Sequence, residues 1–177
     1  MGASDPSRIE ALTSEQLPSC RPDLIALLRD VVGAGASVGF LPPLDEAEAA
    51  VYWDSVGDAL EAGGRRLWIA RGAHGGIVGT VQLDLAGHAN GRHRAELIKL
   101  MVHRGARRRG IGRALMEAAE TEAQRLGRST LVLDTRQGDS SEQLYRAMGW
   151  QAAGTIPRYA RSADGALHTT VFYYKLL

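Results

Sequence analysis

The densest cluster of charge in the sequence is HRGARRRGIGRAL, residues 103–115, which holds five arginines in thirteen residues. Arginine presents forked hydrogen-bond donors that suit phosphate oxygens. Gly110 and Gly112 have no side chain, so a bulky anion can approach the backbone there. If a helix begins at this point, its unpaired N–H groups and the positive end of its dipole face the same anion. The pattern therefore predicts a diphosphate-binding turn, with a solvated basic turn as the alternative.

Other phosphate-binding classes fit this stretch poorly. No Gly-Lys-Ser/Thr follows the glycines, which excludes a Walker A loop, and Leu115 stands where a dinucleotide-binding loop needs its third glycine. A nucleic-acid interface is also disfavoured, because the formal net charge of the 177-residue chain is only +1 and no aromatic residues are interleaved with the arginines.

Two carboxylates lie in apolar, strand-like segments. Glu96 interrupts RAELIKLMV, and Asp134 ends the run LVLD. A carboxylate on a largely apolar strand is costly unless it has a partner or a task. The structural alternatives are that Glu96 pairs with Arg94 or Lys99 and that Asp134 caps the following turn.

Hydrophobic periodicity and turn residues predict the element order β-α-α-β-β-β-α-β-α-β-β. The predicted strands are RIEAL, RLWIAR, GIVGTVQLDLA, RAELIKLMVHR, STLVLDT, QAAGTIPRYA and LHTTVFYYKLL. The predicted helices are RPDLIALLRDVVGAG, LDEAEAAVYWDSVGDALEAGG, GIGRALMEAAETEAQRLG and SSEQLYRAMGW. Asp45 and Glu48 form a capping-box pattern at the start of the second helix. This order indicates an α/β or α+β fold on a mixed sheet.

The same periodicities predict which side chains of a strand or helix share one face. Strict alternation in RAELIKLMV places Glu96, Ile98, Leu100 and Val102 on one face and Leu97, Lys99 and Met101 on the other, unless a bulge intervenes. In the third helix the inward residues are Ile111, Leu115, Ala118, Ala119 and Leu126.

No linker or repeat divides the chain, so we expect one domain over residues 8–177. Residues 1–7 are typical of a disordered start or a cloning remnant.

Two motifs together resemble a known family. RRRGIG, residues 107–112, resembles the [RQ]-x-x-G-x-[GA] signature of the GCN5-related N-acetyltransferases (GNAT). SSEQLYRAMGW, which carries Tyr145, resembles the fourth helix of that family and follows about thirty residues later. Further segments, GAGASVGF, NGRHRAELIKLMV, LVLDT and YARSADGALHTTVFYYKLL, resemble the tabtoxin-resistance type within the family, over residues 21–177. Two positions depart from the family pattern: Gly138 replaces an asparagine and Ser141 an alanine.

The resemblance implies the GNAT fold, a central mixed, mostly antiparallel sheet of about seven strands flanked by about four helices. It also implies an enzyme that transfers acetyl from acetyl-CoA to a primary amine of a small, amino-acid-like molecule, by direct attack in a ternary complex. Residues implied in acetyl-CoA binding are Leu100, Met101, Val102, Arg107, Arg108, Arg109, Gly110, Ile111, Gly112, Arg113 and Ser141. The backbone at 100–102 would pair with the pantetheine arm as an added strand does.

Catalytic roles follow from the same resemblance. The backbone N–H of Met101 or Val102 would face the thioester carbonyl and stabilise its developing charge. Tyr145 would protonate the leaving CoA thiolate, with a core tyrosine as the alternative. Glu96 and Asp134 would attract the ammonium of the acceptor and take its proton.

Acceptor specificity is expected from GAGASVGF, the second helix and the C-terminal hairpin. The candidate residues are Phe40, Trp53, Arg136, Tyr159 and His168. Arg136 would suit a carboxylate of the acceptor. The alternatives are that Trp53 is a core residue and that Arg136 is a surface charge.

Other functional classes have weaker support. A non-catalytic acyl-CoA sensor or GNAT-fold module is the main alternative to an enzyme. GASVG around Ser37 matches the G-x-S-x-G elbow, and Asp134 and His168 follow in hydrolase order, but a helix and not a strand precedes it. The five histidines lack metal-binding spacing and Cys20 is the only cysteine, so no metal is predicted.

The composition also bears on compartment and partners. A single cysteine suits a reducing compartment, and the absence of a long apolar run or signal-peptide pattern favours the cytoplasm. The expected partner is a small-molecule amine, with neither nucleic acid nor membrane. The family resemblance leaves a homodimer open.

Overall fold

The computed structural model describes residues 8–177, so the predicted N-terminal segment of residues 1–7 lies outside the described part of the chain. The strands are β1 (Arg8–Leu12), β2 (Arg65–Arg71), β3 (Ile77–Leu85), β4 (Arg94–Val102), β5 (Thr130–Arg136), β6 (Gln151–Arg161) and β7 (Leu167–Leu176). The helices are α1 (Leu17–Gly33), α2 (Glu46–Glu61), α3 (Ile111–Arg125) and α4 (Ser141–Ala147). The predicted element order is confirmed. The prediction of a single domain over residues 8–177 stays a prediction.

All seven strands belong to one sheet, in the order β1-β2-β3-β4-β5-β7-β6. Every neighbouring pair is antiparallel except β4 and β5, which run parallel. These two strands pair over only three positions, from Arg94 opposite Thr130 to Glu96 opposite Val132. Beyond that point each strand continues without pairing to the other, so the sheet opens between them. The predicted fold class, a mixed and mostly antiparallel α/β sheet with four helices, is confirmed.

A β-bulge in β4 breaks the alternation that the sequence pattern predicts. Thr80 pairs with Met101 and Gln82 with Ile98, so two residues, Lys99 and Leu100, stand opposite one residue of β3. Lys99 has φ +54°, in the left-handed region that side chains rarely adopt. Such an insertion reverses the side-chain pattern beyond it.

The bulge corrects the predicted faces of β4. Leu100 and Val102 pack with Leu97 against the core under α3, whereas Met101 belongs to the core under α1 and α2. The predicted grouping of Glu96 and Ile98 with Leu100 and Val102 is therefore wrong.

The helices cover both faces of the sheet, each with its own apolar core. Helices α1 and α2 lie over one face, where the buried apolar residues of α1 include Leu24, Leu27, Leu28, Val31 and Val32. Helix α1 begins at Leu17, four positions earlier than predicted, with Pro18 in its first turn and Pro22 inside the helix. Asp45 caps α2 by accepting a 2.7 Å hydrogen bond from the backbone N–H of Glu48, as its capping-box pattern predicts.

Helix α3 packs on the opposite face with α4. Its buried residues are Ile111, Leu115, Met116, Ala119 and Ala123. Leu126, predicted to point inward, is only partly buried because the helix ends at Arg125, and Ala118 is likewise partly buried. Full burial of a side chain such as Leu115 stabilises the fold by about 1.5–3 kcal/mol, so α3 is firmly fixed against the sheet. Its first turn, which holds the glycine motif, is therefore fixed as well.

Candidate active site

The opening between β4 and β5 forms a cavity with a volume of about 810 Å³. One wall is the bulged part of β4 and the facing part of β5, and another is the first turn of α3. Helix α4, the loop after α1 and a short part of β6 complete it. The main lining segments are residues 34–39, 97–102, 106–108, 110–113, 133–136, 139–141, 143–145 and 159–160.

The arginine–glycine turn forms one end of this cavity, as the sequence predicts for an anion site. Gly110 is the N-cap of α3 and has φ +80°, and no side chain caps the helix start. The first N–H groups of α3 are therefore not satisfied by a capping side chain. Gly112 has a different task, because a Cβ there would lie 3.3 Å from Leu144 Cδ2. Its missing side chain lets α3 approach α4.

The arginines of residues 103–115 divide into two groups. Arg107, Arg108 and Arg113 line the cavity, whereas Arg109 does not. Arg104 points elsewhere, with Nε 2.8 Å from Asp30 Oδ1. Three of the five arginines are therefore placed to meet an anion at the start of α3.

Tyr145 lies on α4 and lines the cavity, although only 6% of its surface is exposed. Its ring packs at 5.8 Å from that of Tyr173 and 6.4 Å from that of Trp150, measured between centroids. Burial raises the pKa of its hydroxyl to about 12, against the opposing effect of Ser141. Ser141 itself lies 3.0 Å from the Thr135 hydroxyl. Tyr145 therefore keeps its proton throughout the neutral pH range.

The two carboxylates differ in their access to the cavity. Asp134 lines it, at the end of β5, whereas Glu96 lies beside it at the last paired position of β4. Partial burial raises the pKa of both, and the charges of Asp134 and Asp84 raise that of Glu96 further. Lys99 opposes the shift at Asp134. No ion pair between Glu96 and either Arg94 or Lys99 occurs among residues 8–177, so the structural alternative for Glu96 is absent there.

The acceptor candidates are only partly brought together. Tyr159 lines the cavity with 52% of its surface exposed and packs edge-on against Phe172. Phe40 lines a second, adjoining cavity of about 260 Å³ between the loop after α1 and the β6–β7 hairpin. Arg136 lines both cavities.

Two acceptor candidates lie elsewhere. Trp53 is fully buried in the core under α1 and α2 and lines neither cavity, as its structural alternative predicts. His168 is half-buried on β7, where it pairs with Ala160, and it also lines neither cavity. Ser37 lies in a loop that follows helix α1, so the strand that a nucleophile elbow requires does not precede it.

The sequence interpretation missed Lys99 as a residue of the site. This lysine lines the cavity, and its Nζ lies 5.9 Å from the ring centroid of Phe40 and 5.7 Å from that of Tyr52. Burial lowers the pKa of its ammonium, while the charge of Asp134 acts in the opposite direction. The sequence did carry a signal for Lys99. A cation within an apolar strand is costly unless it has a partner or a task, as is the carboxylate of Glu96.

Among residues 8–177, no group of three or more His, Cys, Asp or Glu is arranged to hold a metal ion. In the same range, no helix combines the length and hydropathy that a membrane crossing requires.

An open sheet between two parallel strands, a β-bulge at the opening and a glycine-rich helix start beside it define an α/β protein with a cleft between β4 and β5. The family model described as the acetyltransferase (GNAT) family matches residues 36–150. The match spans more than half of the chain, and the protein belongs to that family.

Solved structures share this fold at low sequence identity. A ribosomal-protein-alanine N-acetyltransferase from Brucella melitensis is 23% identical, with a TM-score of 0.76 over 96% of this chain and 99% of that one. A phosphinothricin acetyltransferase from Sinorhizobium meliloti in complex with AcCoA is 21% identical, with a TM-score of 0.78 over 97% and 89%. The putative acetyltransferase yncA from Salmonella typhimurium, solved with acetyl-CoA, is 17% identical, with a TM-score of 0.76 over 97% and 94%. These likenesses support the fold, and the tabtoxin-resistance subgroup stays a prediction.

Proposed function

We propose that this protein transfers an acetyl group from acetyl-CoA to the primary amine of a small, amino-acid-like molecule, by direct attack in a ternary complex. The observation that carries the proposal is that the glycine-rich start of α3, the β4 bulge and Tyr145 line one cavity. Family membership and the acetyl-CoA complexes of two structural neighbours support the choice of co-substrate.

The turn before α3 suits the diphosphate of acetyl-CoA. Its backbone N–H groups and the helix dipole offer a fixed positive potential, and Arg107, Arg108 and Arg113 add mobile charge at its rim. Gly110 leaves open space at the N-cap, since a Cβ there would meet no atom within 4 Å. A solvated basic turn needs neither this open helix start nor a cavity beside it.

The unpaired part of β4 suits the pantetheine arm. Beyond Glu96 the backbone of β4 does not pair with β5, so Leu100, Met101 and Val102 offer a free strand edge to an extended ligand. Backbone N–H groups in this segment are the proposed donors to the thioester oxygen as negative charge develops on it. Ser141 lies across the cavity, where we expect it to face the same arm.

Proton transfer is assigned to side chains on both walls. Tyr145 keeps its proton until the CoA thiolate forms and then donates it, which completes the cleavage of the C–S bond. Asp134 lines the cavity, and its raised pKa makes it a stronger base toward the acceptor ammonium. Glu96 adds negative charge beside it. The amine then attacks directly, without an acetylated enzyme.

The acceptor occupies the side of the cavity formed by the loop after α1 and the β6–β7 hairpin. Phe40, Tyr159 and Arg136 are the proposed contacts there. A small-molecule amine, without nucleic acid or membrane, remains the proposed partner. We place the reaction in the cytoplasm, where acetyl-CoA is supplied, and a homodimer remains a prediction.

The test is thiol release from acetyl-CoA with and without a panel of amino acids, polyamines and β-lactam-like amines, beside calorimetric titration with CoA. Amine-dependent release of CoA is the expected result. If acetyl-CoA binds and no amine releases CoA, the enzyme proposal fails and the sensor alternative is favoured. If CoA does not bind at all, both fail.

A further inference from the structure

Lys99 places a cation in the cavity that the proposed reaction does not use. It belongs to the β4 bulge and has φ +54°, a backbone conformation that disfavours any side chain. Strained positions of this kind persist where the surrounding structure fixes them, and they cluster at functional sites. Lys99 itself lines the cavity.

The surroundings hold the ammonium of Lys99 between two aromatic rings, where burial lowers its pKa and the more distant charges of Asp134 and Glu96 oppose that shift. The rings of Phe40 and Tyr52 lie 5.9 and 5.7 Å from Nζ, which is within the range of cation–π attraction. The loop after α1 closes over it, since a Cβ on Gly39 would lie 3.2 Å from Nζ. Tyr52 cannot supply a counter-charge, because burial raises its pKa to about 12, and its hydroxyl accepts a 2.8 Å hydrogen bond from Gln82.

The ammonium of Lys99 also lacks a hydrogen-bonding partner. Within residues 8–177, no carboxylate oxygen lies within 4.0 Å of its Nζ, and no side-chain hydrogen bond includes it. The other lysine of the chain shows the contrast. Lys175 Nζ lies 2.6 Å from Glu120 Oε2 and 2.8 Å from the carbonyl oxygen of Met148. A partly buried ammonium without such partners is unusual, and it indicates a site for an anionic group that binds later.

Arg136 was the other cation suited to an acceptor carboxylate, but its charge is already paired with Asp139. Nε and Nη2 lie 3.0 and 2.9 Å from Asp139 Oδ1, and Nη1 donates to Ser162 Oγ at 3.2 Å. A carboxylate of the acceptor would therefore share Arg136 with Asp139, whereas among residues 8–177 no carboxylate oxygen lies within 4.0 Å of Lys99 Nζ.

We infer that Lys99 is a specificity-determining residue that binds a carboxylate of the acceptor through its Nζ. This inference rests on the proposed function and narrows it to acceptors that carry both an amine and a carboxylate. Asp134 stands in the same cavity as an anion, so the two side chains present opposite charges to a zwitterionic molecule. A neutral amine of equal size would leave Lys99 unpaired in the complex, which disfavours it.

The experiment compares each of a set of L-amino acids with its own amide, whose carboxylate is neutralised, as acceptors in the thiol-release assay. The enzymes are the wild type, Lys99→Met, Lys99→Arg and Arg136→Met. Amine basicity differs between acid and amide, so the readout is the change in the acid-to-amide ratio of kcat/KM between wild type and variant. A matched control is Arg158→Met, which removes one exposed cation from another positive-φ position (φ +55°) that lines neither cavity.

In Lys99→Met the acid-to-amide ratio should fall roughly 10- to 100-fold, through KM and with kcat little changed, as expected for the loss of one charge-assisted hydrogen bond. Lys99→Arg should keep most of the preference, and Arg158→Met all of it. Circular dichroism and thermal unfolding check that Lys99→Met is folded, and Lys99→Arg serves as the second variant if it is not.

Three results overturn the inference while the proposed function stands: an active wild type without preference for acids, a Lys99→Met enzyme that keeps the preference, or a loss of preference confined to Arg136→Met. A wild type that releases no CoA with any amine overturns the proposed function and the inference together.

Discussion

Replacing Tyr145 by phenylalanine removes one oxygen atom from the cavity and little else. The ring sits between those of Trp150 and Tyr173, and phenylalanine keeps that packing. The neighbouring Ser141 hydroxyl retains its 3.0 Å contact with Thr135, so no buried polar group is left without a partner. The free energy of unfolding should therefore change by no more than about 1 kcal/mol.

The effect on turnover should be much larger. A positioned general acid contributes roughly 100- to 10,000-fold to the rate, which corresponds to about 2.7–5.4 kcal/mol in the activation barrier. CoA affinity should change little, because the diphosphate-binding turn belongs to α3 and Tyr145 to α4. We therefore expect Tyr145→Phe to lower kcat within that range and to leave the calorimetric dissociation constant for CoA nearly unchanged.

The assay is thiol release at saturating amine, measured from pH 7 to pH 10. A group with a raised pKa of about 12 stays protonated below that pH and loses its proton only as the pH passes through it. Deprotonation of Tyr145 should therefore cause no decline in wild-type activity over this range, and the deficit of the variant should be constant. Tyr174→Phe is the matched control, since the hydroxyl of Tyr174 donates to Gln151 outside the cavity.

Wild-type turnover in Tyr145→Phe refutes the role of Tyr145 as the acid. A loss of CoA affinity as large as the loss of kcat would instead assign Tyr145 to binding. A drop in unfolding temperature well beyond that of Tyr174→Phe would favour the core alternative.

Three further predictions concern the turn and the base. Gly110→Val should weaken CoA binding at least 10-fold by calorimetry, because valine disfavours φ +80° and its side chain covers the open helix start; unchanged affinity contradicts the diphosphate assignment. Gly112→Leu should reduce the free energy of unfolding by roughly 1–3 kcal/mol, because the new side chain overpacks against Leu144. Denaturant titration measures this change, and an unaltered midpoint contradicts the packing role of Gly112. Asp134→Asn should lower kcat roughly 100-fold or more, as expected for removing a general base. Burial raises the pKa of Asp134, so its protonated form contributes stability at low pH that is lost as the pH rises through that pKa. Asp134→Asn should therefore flatten the pH dependence of thermal unfolding above about pH 4. An unchanged pH profile contradicts the burial of this carboxylate.

The parts of the fold that sequence predicts best depend on local chemistry. The start of α2 follows from one capping carboxylate, Asp45, whose bond to the Glu48 N–H is made within four residues of chain. The start of α3 follows from Gly110, whose positive φ a side chain would disfavour. Both signals lie within a single turn, so no tertiary contact is needed to read them.

The bulge in β4 could not be predicted in this way. Nothing in ELIKLMV marks Lys99 as a residue of positive φ, since neither glycine nor asparagine is present. The conformation is imposed by the register with β3, which places Met101 opposite Thr80 and Ile98 opposite Gln82. Alternation is a property of an isolated strand, whereas the bulge is a property of the pair, so the assigned faces failed beyond Ile98.

Side chains of similar chemistry also take different structural roles, depending on what packs around them. Trp53 and Phe40 were equivalent aromatic candidates in the sequence, yet the first fills the core and the second lines the smaller cavity. Arg136 and Lys99 were both cations near strand ends. In the structure Arg136 forms an ion pair with Asp139, whereas among residues 8–177 no carboxylate oxygen lies within 4.0 Å of Lys99 Nζ. Only the packed structure reveals which charge is already paired.

The two sides of the proposed site are built from different parts of the chain. The proposed cofactor side is built largely from backbone, namely the N–H groups of α3 and the free edge of β4, so glycines mark it in sequence. The proposed acceptor side is built from side chains of the loop after α1, the bulge and the β6–β7 hairpin. A change at the Phe40 or Lys99 side chain should therefore alter which amine binds and leave in place the backbone that we propose for acetyl-CoA binding. Substitutions on the acceptor side should shift KM for the amine, and those at Gly110 should shift the affinity for CoA.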